Sequence, residues 1–186
     1  MSAELTVRPL RLDDVDIYLE HMLETDRDSG VDGTPHFHPY SRSETVDLDA
    51  RRSQELARWS TPLDEPGWRR AWGLFDGGEL VGHIYLAGGM LDTELHRAGM
   101  GMAIASTHRR RGGGTLLLGA AVAWARAQPG IAWVDLGVFS DNPGARALYE
   151  RHGFEVTGVV PDRFRIDGVS VGDTQMTLPV DPPSLA

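Results

Sequence analysis

Three arginines run into three glycines at residues 109–114, and the chain turns apolar straight afterwards: HRRRGGGTLLL. Glycines at a strand-to-helix turn let the backbone approach a ligand closely. The helix start then offers unpaired N–H groups and the positive end of its dipole. Arg109, Arg110 and Arg111 add charge on the approach. These residue types in this order suit a pyrophosphate. A flexible linker would lead to a domain boundary, whereas an amphipathic helix follows here within a few residues. A nucleic-acid patch spreads basic residues among aromatics, and this one is compact. A P-loop needs a lysine, and the chain has none. A dinucleotide fingerprint needs G-x-G-x-x-G, and Leu117 stands where the third glycine belongs. What remains is R-x-x-G-x-G over Arg109, Gly112 and Gly114.

The rest of the composition narrows the chemistry further. The 186 residues carry a formal charge of −9, which disfavours general affinity for nucleic acid or anionic membrane. An acidic surface favours cationic ligands such as amines, although solubility alone would produce it. There is no cysteine, so disulfides, thiolate metal sites and a cysteine nucleophile are excluded. Without lysine there is no Schiff-base chemistry. The N-terminal stretch lacks a signal-peptide core, and no apolar run approaches the roughly 20 residues that span a bilayer. The expected compartment is the cytoplasm.

The elements that must position the glycine turn follow from periodicity and punctuation. Residues 5–11 alternate as a first strand, and Asp13 or Asp14 caps a helix through about Thr25. A Gly- and Pro-rich loop occupies 28–42. Ser43 and Glu44 open a second helical segment over 43–59. Residues 68–76 and 80–87 form a hairpin about Asp-Gly-Gly. Residues 93–106 read as a strand, whose Gly99 and Gly101 mark a bulge or a close backbone approach. A helix runs from Thr115 to about Gln128. Residues 131–139 are nearly all apolar, as in a strand buried on both faces. Asn142, Pro143 and Gly153 punctuate a helix over 140–153. Two further strands, 154–160 and 171–180, close a single domain over 1–180, leaving 181–186 as an unstructured tail. The order β-α-α-β-β-β-α-β-α-β-β describes a mixed α/β sheet.

The R-x-x-G-x-G turn, together with DLGVFSDNPGARALYERHGFEVTG over 135–158, resembles the GNAT superfamily of acyl-CoA N-acyltransferases. The likeness is good over roughly 70–178 and looser over the first strand and helix. HRAGMGMAI from His96 and GDTQMTL from Gly172 are most similar to bacterial members that acetylate small amines, amino acids or protein N-termini. The resemblance implies a GNAT fold: a mixed sheet of about seven strands, splayed between the fourth and fifth, flanked by about four helices. It also implies acetyl-CoA as co-substrate, transfer of the acetyl group to a primary amine by direct attack, and no metal. The acceptor would be a small molecule or a peptide N-terminus, and a homodimer is compatible with this reading. A CoA-binding regulatory module with weak or no turnover is the alternative.

Acyl transfer to an amine requires a held cofactor, a deprotonated amine, a stabilised oxyanion and a proton for the departing thiolate. The resemblance assigns the pyrophosphate to the segment Arg109, Arg110, Arg111, Gly112, Gly113, Gly114 and Thr115. A backbone N–H near Ala103 or Ile104 would face the thioester carbonyl, and Asn142 would touch the pantetheine besides capping its helix. Tyr149, seven residues after Asn142 on the same helix face, is the candidate acid; packing in the core would explain it equally. Many members carry a basic glutamate eleven residues before the loop arginine, and here that position is Ala98. His96 and Glu94, on the same strand face by a period of two, are the candidate bases, with His83 on the preceding strand as a third. His36 and His38 lie in a loop that could line the amine pocket; two histidines at that spacing do not make a metal site.

Overall fold

The computed structural model describes residues 4–181, so most of the expected tail lies outside the described residues. Among the described residues, seven strands and four α-helices follow one another in the expected order. Strand β1 (Thr6–Pro9) leads into helix α1 (Val15–Asp28), which a 3-10 turn over Leu12–Asp14 precedes. Asp14 does not cap α1 with its side chain. Its carboxylate instead takes Arg8 through two hydrogen bonds of 2.7 and 2.8 Å and the Arg11 amide at 2.8 Å.

Helix α2 (Leu48–Ser60) begins later than Ser43, where the sequence pattern places it. Asp47 is the true cap, accepting the Ala50 amide at 3.0 Å. The residues before it are tied elsewhere. Ser41 donates to Asp167 at 2.5 Å, and the Arg42 amide reaches the same carboxylate at 3.2 Å. Those side-chain bonds compete with the helix for the segment.

Strands β2 (Arg69–Asp76) and β3 (Glu79–Gly88) form the hairpin, turning on Gly77 and Gly78 at φ 59° and 97°. Strand β4 is shorter than its pattern: it spans Arg97–Ile104. Glu94 ends a 3-10 turn begun at Asp92, and the His96 carbonyl accepts the amides of Ala132 and Trp133 at 2.8 and 3.2 Å. No bulge occurs between β3 and β4. Gly101 answers instead to a close approach, because a Cβ there would lie 2.5 Å from the Tyr85 ring.

Helix α3 (Gly113–Arg126), strand β5 (Trp133–Phe139) and helix α4 (Pro143–Arg151) follow. The last two strands, β6 (Glu155–Ile166) and β7 (Val169–Pro179), pair antiparallel. Asn142 caps α4 by accepting the Ala145 amide at 3.1 Å, and Gly153 ends it at φ 88°.

The strand order is β1-β2-β3-β4-β5-β7-β6. Helix α3 covers one face, burying Leu117, Leu118, Ala121 and Ala125 with Leu74, Ile84 and Leu86. Each such leucine contributes about 1.5–3 kcal/mol on leaving water. Val15, Tyr18 and Leu19 of α1 form a second cluster packed by Leu56 and Trp59 of α2. Strands β4 and β5 run parallel and pair only through Arg97–Gly99 with Trp133–Asp135. Beyond Gly99 they diverge, and the sheet has a gap in its middle. No helix among the described residues is long and apolar enough to cross a membrane.

Candidate active site

The gap is a consequence of how β4 spends its hydrogen bonds. The Ala105 amide donates to Val81 at 3.0 Å, making those two residues a hydrogen-bonded pair of the β3–β4 ladder. Alternation then turns the amide and carbonyl of Ala103 toward β3. Those of Met102 and Ile104 face the gap. Of the two strand amides expected to meet a thioester carbonyl, Ile104 therefore has the required direction and Ala103 does not. The Ile104 carbonyl is already taken, receiving Arg109 Nε at 2.9 Å.

A cavity of about 680 Å³ fills the gap on the side of α3 and α4. Its walls come from residues 100–104 of β4, the glycine turn, residues 137–139 of β5, and Asn142, Leu148 and Tyr149 of α4. Among the described residues no acceptor meets the amides of Gly112, Gly113 and Gly114. They are three adjacent donors without an acceptor at the start of a 14-residue helix, a geometry suited to an anion.

Each glycine of the turn has its own reason. Gly112 adopts φ 86°, with Arg110 before it at φ 60°. Gly113 is buried, and a Cβ there would overlap Leu74 Cδ2. Gly114 would place a Cβ 2.9 Å from Leu148 Cδ2. The arginines also part ways. Arg109 sits at the cavity mouth, its guanidinium 5.2 Å from the Phe37 ring centre. Arg110 lines the cavity, whereas Arg111 reaches Asp76 at 2.9 Å and does not.

Tyr149 is 6% exposed and lines this cavity. Burial pushes its phenol up to about 12, so it holds its proton throughout the neutral range. The loop with the two histidines divides between this cavity and a separate pocket of about 870 Å³, which His38 and Tyr40 line with Asp26 and Arg51. Pro35 and Phe37 line the cavity beside Tyr149, His36 Nδ1 lies 2.7 Å from Asp141, and His38 Nε2 meets the Asp26 carbonyl at 2.8 Å.

A second cavity of about 730 Å³ opens on the face that carries α2. Met100 and Gly137 line both cavities, so the two meet at the gap. Its charged lining is Arg69, Glu94, Arg97, Asp135 and Asp173. Arg69 pairs with buried Glu55 at 2.7 Å, and Arg97 grips Asp135 through two bonds of 2.6 Å. The carboxylates of Glu94 and Asp173 have no hydrogen-bond or ion-pair partner among the described residues.

The candidate bases fare differently from one another. Glu94 lines this second cavity from its 3-10 turn, while His96 is exposed and lines neither cavity. The expectation that both project from one strand face fails, because the strand starts only at Arg97. His83 is 4% exposed beside His21, and burial pushes it down to about 3, too low to take a proton from an amine at neutral pH. Asp173 and Phe37 are the residues that sequence reasoning passed over. Asp173 stands inside the GDTQMTL stretch, but its place depends on the register of β7 against β5.

The acetyltransferase (GNAT) family model matches residues 35–154. The chain belongs to the GNAT acetyltransferase family.

Solved structures agree with that assignment at the level of fold. The yncA protein of Salmonella typhimurium, described as an acetyltransferase and solved with its cofactor acetyl-CoA, superposes with a TM-score of 0.79 at 20% identity, covering 97% of this chain and 96% of the other. A GNAT-family acetyltransferase from Streptococcus pneumoniae gives 0.77 at 18% identity, covering 95% and 99%. A ribosomal-protein-alanine N-acetyltransferase from Brucella melitensis gives 0.76 at 18%, covering 94% and 99%. No curated protein sequence matches the chain. The seven-stranded mixed sheet, with its parallel β4–β5 pair and its flanking helices, is the GNAT fold.

Proposed function

We propose that this GNAT protein is an N-acetyltransferase that moves the acetyl group of acetyl-CoA to a primary amine, borne by a small molecule, an amino acid or a protein N-terminus. The charge balance of the second cavity carries this reading. Both of its arginines are engaged by carboxylates, whereas Glu94 and Asp173 are unpaired. An acceptor entering there meets net negative charge, which favours an ammonium over a carboxylate or phosphate.

The first cavity suits the donor. The amides of Gly112, Gly113 and Gly114 would hold its pyrophosphate, with Arg110 beside them. The gap-facing amides of Met102 and Ile104 offer strand-like pairing to the pantetheine arm. The Ile104 N–H would support the oxyanion as the amine attacks. Tyr149, kept neutral by burial, would give its proton to the leaving sulfur. With no cysteine in the chain, no acyl-cysteine intermediate is available, and the amine attacks the thioester directly.

The test is steady-state acetylation of a panel of amines, amino acids and peptides with acetyl-CoA, following thiol release and acetylated product together. Saturable product formation with intersecting initial-rate patterns is expected. Tight acetyl-CoA binding with no turnover on any acceptor would make the chain a binding module instead.

A further inference from the structure

Asp173 lines the second cavity beside Gly137, one of the two residues at which the cavities meet. In the sheet it lies opposite Phe139 of β5 on one side and Val160 of β6 on the other. Its carboxylate rests over Gly137, where a Cβ would come within 2.6 Å of Oδ1. Gly137 lines both cavities, so the missing side chain is what admits the carboxylate to the junction.

The other titratable groups around it are committed or remote. Asp135 is held by Arg97 and by Thr177, which donates to it at 2.7 Å. Arg69 is held by Glu55. Glu94 approaches from the far rim, against Gly89. Tyr85 lies under the Arg69 guanidinium at 4.2 Å. Burial lifts the Asp173 carboxyl above the usual aspartate range, with Arg163 of β6 pulling it partly back. The group is a carboxylate made more basic by burial, with no hydrogen-bond or ion-pair partner among the described residues and only the Arg163 charge acting on it from β6.

Building on the N-acetyltransferase reading, we propose that Asp173 receives the acceptor ammonium from the second cavity and takes its proton for attack on the thioester. The nitrogen loses two protons in all. The first passes to the Asp173 carboxylate and on to solvent. The free amine then forms the C–N bond, and collapse breaks the C–S bond. The sulfur takes a proton from Tyr149, and the second nitrogen proton replaces it on the phenol, directly or through solvent. The base thus comes from β7 and the acid from α4, on opposite sides of the gap. This also explains how a chain with Ala98 on β4 dispenses with a carboxylate there.

The experiment compares wild type with Asp173→Asn, which keeps the shape over Gly137, and with Gly137→Ala, which keeps the charge but displaces the carboxylate. Asp173→Asn should lose about 100-fold or more in kcat/KM for the amine, chiefly through kcat. Acetyl-CoA affinity, measured by calorimetry, should stay at the wild-type value. The acidic limb of the wild-type pH–rate profile should vanish, and the residual rate should climb about tenfold per pH unit until the amine's own pKa. Gly137→Ala should lower kcat in the same direction. A profile and kcat like those of wild type in Asp173→Asn overturn the proposal, as does a rise in KM alone. Wild type inert toward every amine would instead remove the N-acetyltransferase reading on which it rests.

Discussion

The backbone of Gly113 rests directly on the side chain of Leu74, leaving no room for even a methyl group between α3 and β2. The contact explains why a glycine stands between Gly112 and Gly114, where the pyrophosphate site proposed above would need flexibility at fewer positions.

Gly113→Ala should therefore destabilise the protein by about 1–3 kcal/mol through overpacking. Leu74→Ala alone should cost about 2–5 kcal/mol through the cavity it opens. Because the second change vacates the space that the first one fills, the double variant should lose less than the sum. Urea unfolding of the four proteins measures this. Simple additivity would mean that the two residues do not press on each other.

Gly112 faces open space, and its constraint is purely conformational, at φ 86°. Gly112→Ala should carry about 1–2 kcal/mol of backbone strain. Relieving that strain would turn the three cradle amides away from their common target. Acetyl-CoA affinity should then fall about tenfold, corresponding to about 1.4 kcal/mol, as read by calorimetry. Unchanged affinity would detach the glycine turn from cofactor binding.

Tyr149→Phe removes one oxygen from a buried ring and should leave folding nearly untouched. Its expected effect is a drop of about 100-fold in kcat with little change in KM for acetyl-CoA. Since burial pushes the phenol up to about 12, no alkaline limb belonging to Tyr149 should appear in assays below that pH. A kcat within a few-fold of wild type would leave Tyr149 as a core aromatic packed on Phe154, 5.7 Å away between ring centres.

His21 and His83 face each other at 5.2 Å, and burial pushes them down to about 4 and about 3. Both are neutral in the folded protein at pH 6, while the unfolded chain protonates near its ordinary value of 6.5. The unfolded state therefore binds more protons in this window, and stability must fall as pH drops from about 6.5 toward 4. Each histidine contributes up to about 1.4 kcal/mol per pH unit. Chemical denaturation at pH 7, 6 and 5 should show this slope, and His83→Phe should flatten it. A pH-independent midpoint over that range would contradict the buried neutral pair.

Much of the fold was legible in the sequence because it is written in local punctuation. Asn142, Pro143 and Gly153 bracket α4, and Gly77 with Gly78 turns the first hairpin, each through backbone geometry that neighbours along the chain dictate. The strand-to-helix placement of the glycine turn was legible for the same reason. What stayed hidden depends on partners far away in sequence. Glu94 and His96 continue the alternation of β4 on paper, but the His96 carbonyl is claimed by Ala132 and Trp133, which ends the strand at Arg97. The reason for Gly113 is a leucine on β2. Ser43 and Glu44 look like a helix start until Asp167 takes Ser41 and Arg42. Asp173 becomes visible only when β7 is laid against β5 and Gly137 leaves the space over which its carboxylate extends.

The brief pairing of β4 with β5 has one more consequence. Beyond three residue pairs, the sheet's first four strands and its last three are joined by few backbone bonds, so this is the seam along which partial opening should begin. Opening would bare the strand edge at Met102 and Ile104, which is a template for pairing with another chain. A ligand lying across the seam would act as a cross-link between the two subassemblies, stabilising the closed form by mass action. Coenzyme supply would then govern how much of this protein remains free of aggregation, as well as how fast it works.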